Sequence, residues 1–545
     1  MLRLVDFNIA EKNKMKRNYP LTREKNRFWM IGLLITIMTI SCGVLELRIE
    51  PAKQNRDLGA PDNQAPPLNP SSTQPAGQQT GQQSEQEARK GENGLNPTGP
   101  WLVFITGENL QRNQIWAANP DGSDMIVLAD DALISGTRAP WLMPQISPNG
   151  RYIAYIELQE SPLQAFLHII ELPSGSNKKI VMLYDETQIG FHQDILDTIL
   201  YQASSLAWSP DGRTLAFIGA LEGGTADLFI HIPDEQSVAR LSDGPSQAYM
   251  PVWSADGKNI LHTATSLFHR GEGYSPYMFT PDGLWTYQVD RGTIASIPWP
   301  FGSEPEYITY SPWHDSTFIF SGNGSPCEDS NGCWLDVVSG DKGSFPFPII
   351  VYAISQDTGS LLATFFNTTM PSDDAGTYLF TPENPTGTRL FTEELENIQW
   401  LEKAGVFAGR VFTVPELRLL YISPSGEVVD TLEWGVPGEY MNLAASPDSS
   451  RTAWYRYVDA FETGLWLGLE GTGMLELRPI FDGAVHDAVW SPDSNWLFFV
   501  VDAYTGQQAD TAQGLFVVDR DGQNPQHLFG IPVDNYLTVL GFAGN

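Results

Sequence analysis

One short phrase recurs along the 545-residue chain: QISPNG at 145, AWSPDG at 207, VWSADG at 252, TYSPWHD at 309, AISQDTG at 353, AASPDSS at 444 and VWSPDS at 489. The serines Ser147, Ser209, Ser254, Ser311, Ser355, Ser446 and Ser491 are separated by 62, 45, 57, 44, 91 and 45 residues, and a degenerate copy, QWLEKAG at 399, divides the longest step. Self-similarity at a fixed period must be settled before domains are counted. Each unit reads as a short strand ending at Trp-Ser, a Pro-Asp-Gly turn, an aliphatic strand such as TLAFIG, a third such as DLFIHIP and a fourth such as SVARLS. Proline presets φ at the second turn position, and Asp and Gly accept the bent and positive-φ positions after it. Four short strands per period of this length predict the blades of a single all-β propeller.

The two ends of the repeat region predict how the ring closes. The chain enters it with LVFIT, IWAAN and MIVLAD, strands of the second, third and fourth kind, and leaves with LTVLGF, a lone strand of the first kind. Pairing that C-terminal strand with the N-terminal three completes a blade and removes an exposed sheet edge. Counting the shared blade gives nine units, with eight as the alternative.

These residues carry a resemblance. WSPDG followed by an I-A-F-like strand, together with the turns in IWAANPDGSDMIVL at 115 and LFVVDRDGQNPQHL at 515, resembles the TolB-type, WD40-like β-propeller repeat over roughly residues 100 to 545. The resemblance implies the propeller fold. The N-terminal α/β domain that TolB carries has no counterpart here, and a polar tether stands in its place.

Four segments precede or make up this organisation: a basic leader at 1–27, an apolar segment at 28–45, a Gln-, Pro- and Ser-rich stretch at 46–98 and the propeller at 99–545. Eight of the 32 basic residues lie in the leader, and positive charge before FWMIGLLITIMTISCGVL reads as an export signal or anchor with its N-terminus inside. TISC at 39–42 resembles a bacterial lipoprotein signal, which implies lipidation of Cys42, although Thr39 stands where that pattern prefers an aliphatic residue. The alternative is an uncleaved single-pass anchor. Either places the propeller outside the cytoplasm, in the periplasm or beyond the cell, held to the membrane. The stretch NQAPPLNPSSTQPAGQQTGQQSEQE lacks the apolar content to offset chain entropy and is expected to be a disordered tether.

A formal charge of −33 argues against nucleic acid, whose phosphates require clustered Lys and Arg. Cys327 and Cys333 in CEDSNGC are spaced for a local disulfide, which an oxidising compartment permits, with two free thiols as the alternative. The pair alone is too few ligands for zinc, and the eight histidines show no metal-ligand spacing, so no metal or other cofactor is expected. The Asp-rich NPDGSD at 119 and DRDGQN at 519 read as turns, short of a calcium loop's ligand set.

Strand alternation places the first-to-second and third-to-fourth turns on one face, and these are tight. The other two connections share the opposite face and hold nearly every insertion, including YDETQIGFHQDILDTILYQ at 184 and LFHRGEGYSPYMFTPD at 267. Ile195, Leu196, Ile199 and Leu200 fall at helical spacing within the first of these, predicting a short helix that caps two blades. Long loops at one end of a rigid scaffold are where binding resides, and Trp141, Phe191, His269, Tyr274, Tyr277, Trp299, Phe301 and Tyr504 are the candidate contacts. The regular Trp208, Trp253 and Trp490 are expected to pack between sheets.

No G-x-S-x-G elbow, H-E-x-x-H or G-x-x-x-x-G-K motif occurs, and the repeats run to the last residues, leaving no room for the hydrolase domain of prolyl-oligopeptidase relatives. The expected function is therefore a binding or scaffold module for a protein, peptide or envelope polymer. The alternative is a carbohydrate-active or lyase-type enzyme using the channel, as in the oligogalacturonate lyases related to the TolB repeat.

Overall fold

A computed structural model describes residues 94–108, 112–132, 143–190, 192–200, 205–222, 224–266, 268–269, 278–279, 282–298, 309–320, 332–347, 349, 351–366, 373–413, 416–434, 442–456, 464–469, 476–501, 513–523, 525–531 and 535–544. Its contacts divide the chain into 1–71, wholly outside the described residues, and 72–545, which holds the repeats. The leader, apolar segment, Cys42 and nearly all of the tether therefore lie outside the described residues. No described helix is long and apolar enough to cross a membrane.

Nine four-stranded antiparallel sheets form the ring. Taken from the innermost strand outward, blade 1 is β38 (Asn535–Ala543), β1 (Trp101–Glu108), β2 (Arg112–Ala118) and β3 (Ile126–Ala132). Blade 2 is β4 (Gln145–Ile146), β5 (Tyr152–Glu160), β6 (Leu163–Glu171) and β7 (Ser176–Asp185), and blade 3 is β8 (Leu206–Trp208), β9 (Leu215–Gly219), β10 (Asp227–Ile232) and β11 (Ser237–Arg240). Blade 4 is β12 (Gln247–Trp253), β13 (Asn259–Thr265), β16 (Gly283–Gln288) and β17 (Thr293–Ile297), with a small extra hairpin of β14 (Phe268–His269) and β15 (Met278–Phe279). Blade 5 is β18 (Tyr310–His314), β19 (Thr317–Phe320), β20 (Cys333–Asp336) and β21 (Lys342–Ser344), and blade 6 is β22 (Val351–Ile354), β23 (Leu361–Phe365), β24 (Gly376–Thr381) and β25 (Asn384–Phe391). Blade 7 is β26 (Leu395–Leu401), β27 (Val406–Thr413), β28 (Glu416–Ile422) and β29 (Val428–Trp434), followed by blade 8 with β30 (Asn442–Ala445), β31 (Arg451–Arg456), β32 (Gly464–Leu469) and β33 (Glu476–Phe481). Blade 9 is β34 (Val485–Trp490), β35 (Trp496–Val501), β36 (Gly514–Asp519) and β37 (Gln526–Gly530).

Nine, and not eight, is thus the blade number, and the last strand closes the first blade as its ends predict. β38 runs antiparallel to β1, from Trp101 opposite Ala543 to Glu108 opposite Asn535. Past this strand the chain touches blade 2, where the Gly544 amide donates to the Gly150 carbonyl at 2.9 Å.

The core lies between the sheets. An inner strand is packed by a neighbouring blade on each face, so all five residues of β9 are buried. Phe217, Phe229 and Leu215 fill the space around blade 3, Trp313, Phe345 and Phe380 that between blades 5 and 6, and Leu102, Phe104 and Phe498 that between blades 9 and 1. Similar apolar clusters occupy the remaining gaps.

The repeated phrase is a hydrogen-bonded turn. In blade 3, Ser209 Oγ donates to Asp211 Oδ1 at 2.6 Å and accepts from the Thr214 amide at 3.0 Å, while Asp211 Oδ1 also accepts from the Arg213 amide at 3.0 Å. Gly212 takes φ +67°, and its amide donates to the Ser209 carbonyl at 2.8 Å. The same Ser-to-Asp bond recurs at Ser254–Asp256, Ser446–Asp448 and Ser491–Asp493. The tryptophans before these serines do pack between sheets, and they also tie one innermost strand to the preceding one: Trp208 Nε1 donates to the Gln145 carbonyl, Trp253 to Ala207 and Trp490 to Ala444, at 2.9 to 3.0 Å.

Blade 5 departs from this pattern. Ser311 lies inside β18 with its hydroxyl 2.9 Å from that of Tyr352, and the turn comes later, around Asp315 at φ +43°. Trp313 therefore points forward and donates to the Gly359 carbonyl of blade 6 at 2.8 Å.

Candidate functional site

The tight turns and the long connections segregate as strand alternation requires. On the short-turn end the longest connection, 119–125, has seven residues, whereas the opposite end carries twenty at 186–205 and seventeen at 266–282. The latter two hold two helices, α1 (Glu186–Ile189) and α2 (Gln193–Leu200), and the β14–β15 hairpin. This long-connection end is the candidate site.

The helical segment is anchored by its sequence. Asp185 caps α1, its Oδ1 accepting from the Thr187 amide at 3.0 Å and the Thr187 hydroxyl at 2.7 Å. Tyr184 Oη donates to the Gly190 carbonyl and accepts from the His192 amide, which fixes the bend into α2. Ile195, Leu196, Ile199 and Leu200 are all buried and pack with the apolar cluster that runs through blades 2, 3 and 4. The helix thus roofs the blades, as its periodicity implies, and its apolar face is already occupied.

A buried ion cluster stands at the same end of blade 3. Asp227, 2% exposed, accepts from Arg240 Nη2 at 2.6 Å, from the Ser242 hydroxyl at 3.0 Å and from the Thr225 hydroxyl at 3.1 Å. Burial nevertheless holds the Asp227 carboxyl above its ordinary range, outweighing the Arg240 guanidinium and the hydroxyls. Arg240 also faces Asp243 at 2.8 Å and Glu222 at 3.6 Å, so one cation serves three carboxylates. In blade 7 the buried Arg410 pairs with Glu396, and Arg418 with Glu393 at 3.2 Å. On the inner strands near this mouth, burial and then the neighbouring Asp487 push the Tyr455 hydroxyl up to about 12. Arg240, Arg410 and Arg418 at this end are each paired with a carboxylate within the fold.

Of the candidate contacts, His269 lies on β14, its backbone paired with Met278 in the hairpin. Trp141, Phe191, Tyr274, Tyr277, Trp299, Phe301 and Tyr504 lie outside the described residues, as does Cys327. Cys333 is buried at the start of β20 and is disulfide-bonded. The Asp-rich segments are third-to-fourth strand turns, with the Ser123 and Asp521 amides donating to Asp121 Oδ1 and Asp519 Oδ1 respectively. Among the described residues no three of His, Cys, Asp and Glu converge in a metal-binding group. The Asp227–Arg240 cluster escapes sequence reasoning, since its members belong to different strands and share no motif.

No family model matches the chain. A segment of 157 residues is 32% identical to the "Uncharacterized peptidase YuxL" of Bacillus subtilis (strain 168), covering 28% of this chain and 20% of that protein. A longer segment of 323 residues is 22% identical to the "Probable dipeptidyl-peptidase 5" of Aspergillus clavatus, covering 56% of this chain and 40% of the relative. The chain therefore spans less than half the length of these curated relatives. Among solved structures, TolB from Acinetobacter baumannii is similar over 54% of this chain and 63% of its own, at 13% identity and a TM-score of 0.29.

Proposed function

We propose that this protein is a membrane-tethered, extracytoplasmic β-propeller that binds a protein, peptide or envelope polymer through its long-connection end. The observation that carries the reading is the concentration of both helices and the extra hairpin on one end of an otherwise uniform ring. The rigid scaffold fixes where those connections emerge, and the insertions vary what they present. The basic leader, apolar segment and polar stretch support the tether, with Cys42 as the lipidated residue.

Two measurements test this. Capture from envelope extract should be strong with the full chain and lost with a variant shortened across 267–281; equal capture would remove the reading. Intact-mass analysis of the mature N-terminus should find a lipidated Cys42, and a chain retaining 1–41 would replace the lipid with an anchor.

The two peptidase relatives favour a second reading, in which the ring serves a peptide-cleaving enzyme. Release of p-nitroaniline from dipeptidyl substrates by the purified chain would support it. The lyase alternative is checked in the same way with polyuronate.

A further inference from the structure

The chain joins the ring at one of its two ends, and the residues that precede the first strand are fastened there. A second strand of a blade starts where the first-to-second turn delivers it, at the short-turn end. β1 is the second strand of blade 1, so its first residue, Trp101, stands at that end.

Residues 94–100 stay at the same end. The Asn96 amide donates to Asn119 Oδ1 at 2.8 Å, and Asn119 opens the 119–125 turn between β2 and β3. The Trp101 indole Nε1 donates to the Asn96 carbonyl at 2.7 Å. Asn96 also closes a local turn, its Oδ1 accepting from the Thr98 amide at 3.2 Å and its carbonyl from the Gly99 amide at 3.3 Å. Leu95 packs against the apolar cluster that includes Trp101, Leu172 and Ala543.

The last described residues meet the first ones here. Ala543 ends β38 at the short-turn end, and a Cβ on Gly99 would stand 3.1 Å from Gly544 Cα. An entering segment without contacts would leave its own direction open. Two hydrogen bonds and an apolar contact instead fix the point at which the 46–93 stretch reaches the ring.

The opposite end lies a strand length away. β1 has eight residues, which at about 3.3 Å each separate the two ends of the blade by roughly 25 Å. The helices and the β14–β15 hairpin emerge at that far end.

We propose that the ring hangs from the membrane by its short-turn end, which turns the long-connection end away from the bilayer, so that the partner approaches from the far side. The orientation presupposes the tether and the binding end proposed above. Ring and bilayer exclude each other sterically, and with the point of suspension at Asn96 the arrangement that keeps the pinned end nearest the bilayer restricts the rest of the ring least. The partner that fits is one carried beyond the membrane, in place of a protein embedded in the same bilayer.

The test uses the full chain, isolated from its membrane in detergent and reconstituted into vesicles of phosphatidylethanolamine and phosphatidylglycerol that contain a rhodamine-labelled lipid. A fluorescent amino acid is placed singly at Lys258 and Gln356, on the short turns of blades 4 and 6, and at His269 and Asp373, on long connections of the same two blades. Blades 4 and 6 lie on either side of the point opposite blade 1, and comparison within a blade removes the effect of tilt. Energy transfer to the lipid should be at least twofold greater from 258 and 356 than from 269 and 373. Greater transfer from 269 and 373, or equal transfer from both pairs, overturns the orientation and leaves the tether standing. Transfer from none of the four positions means that the vesicles do not hold the chain, which removes tether and orientation together.

Discussion

The indole Nε1 of Trp253 donates to the main-chain oxygen of Ala207 at 2.9 Å, so the innermost strand of blade 4 is held to that of blade 3 by a side chain. Trp253→Phe keeps most of the apolar contact and removes the indole donor from that part-buried carbonyl. A loss of about 1–2 kcal/mol is expected in denaturant unfolding. Trp253→Ala also removes the ring and should lose about 3–5 kcal/mol.

Ring closure depends on a glycine outside the closing strand. Gly150 has φ +66°, and a Cβ there would stand 2.0 Å from the Gly544 amide nitrogen, whereas a Cβ at Gly257, with nearly the same φ, meets only Pro210 at 3.5 Å. Gly257→Ala carries backbone strain of about 1 kcal/mol. Gly150→Ala should show that strain and in addition displace Gly544, giving the clearly lower thermal midpoint of the two.

Acid should weaken the ring in two separable windows. His262 is fully buried, and burial lowers it from an ordinary 6.5 to about 3, so the unfolded chain takes the proton first. Stability present above pH 6.5 is lost as pH falls toward 3, by on the order of 4 kcal/mol for this one group. His262→Leu should flatten the profile of thermal midpoint against pH in that window.

Asp448 acts lower. Burial pushes its carboxyl up, but the hydroxyls of Ser450 and Ser446, the Ser450 amide and Ser494 together hold it at about 2. Its contribution is present above pH 3.8 and disappears as pH falls from 3.8 to 2. Asp448→Asn should remove that last decline and leave the His262 window intact.

The repeat was legible because a Ser-Pro-Asp-Gly turn is built from local bonds: Ser209, Asp211 and Gly212 satisfy one another within four residues. Periodicity likewise exposed α2, where Ile195, Leu196, Ile199 and Leu200 all face the core. Blade 5 shows the limit of such reading. Its Ser-Pro-Trp has the letters of the turn, yet β18 runs through it, because the register is set by Trp313 filling the space against blade 6. The linking role of the tryptophans and the Asp227–Arg240 cluster join residues 13 to 63 positions apart, beyond any local pattern. Recognition residues on inserted connections follow no period, so composition was the one guide to them.

The central claim is that the long-connection end meets the partner. A photo-crosslinking amino acid placed at His269, on the β14–β15 hairpin, and separately at Lys258, on the short turn of the same blade, compares the two ends within one blade. The account predicts a discrete crosslinked species in envelope preparations from position 269 and none from position 258. Crosslinking from 258 alone, or equally from both, would contradict it.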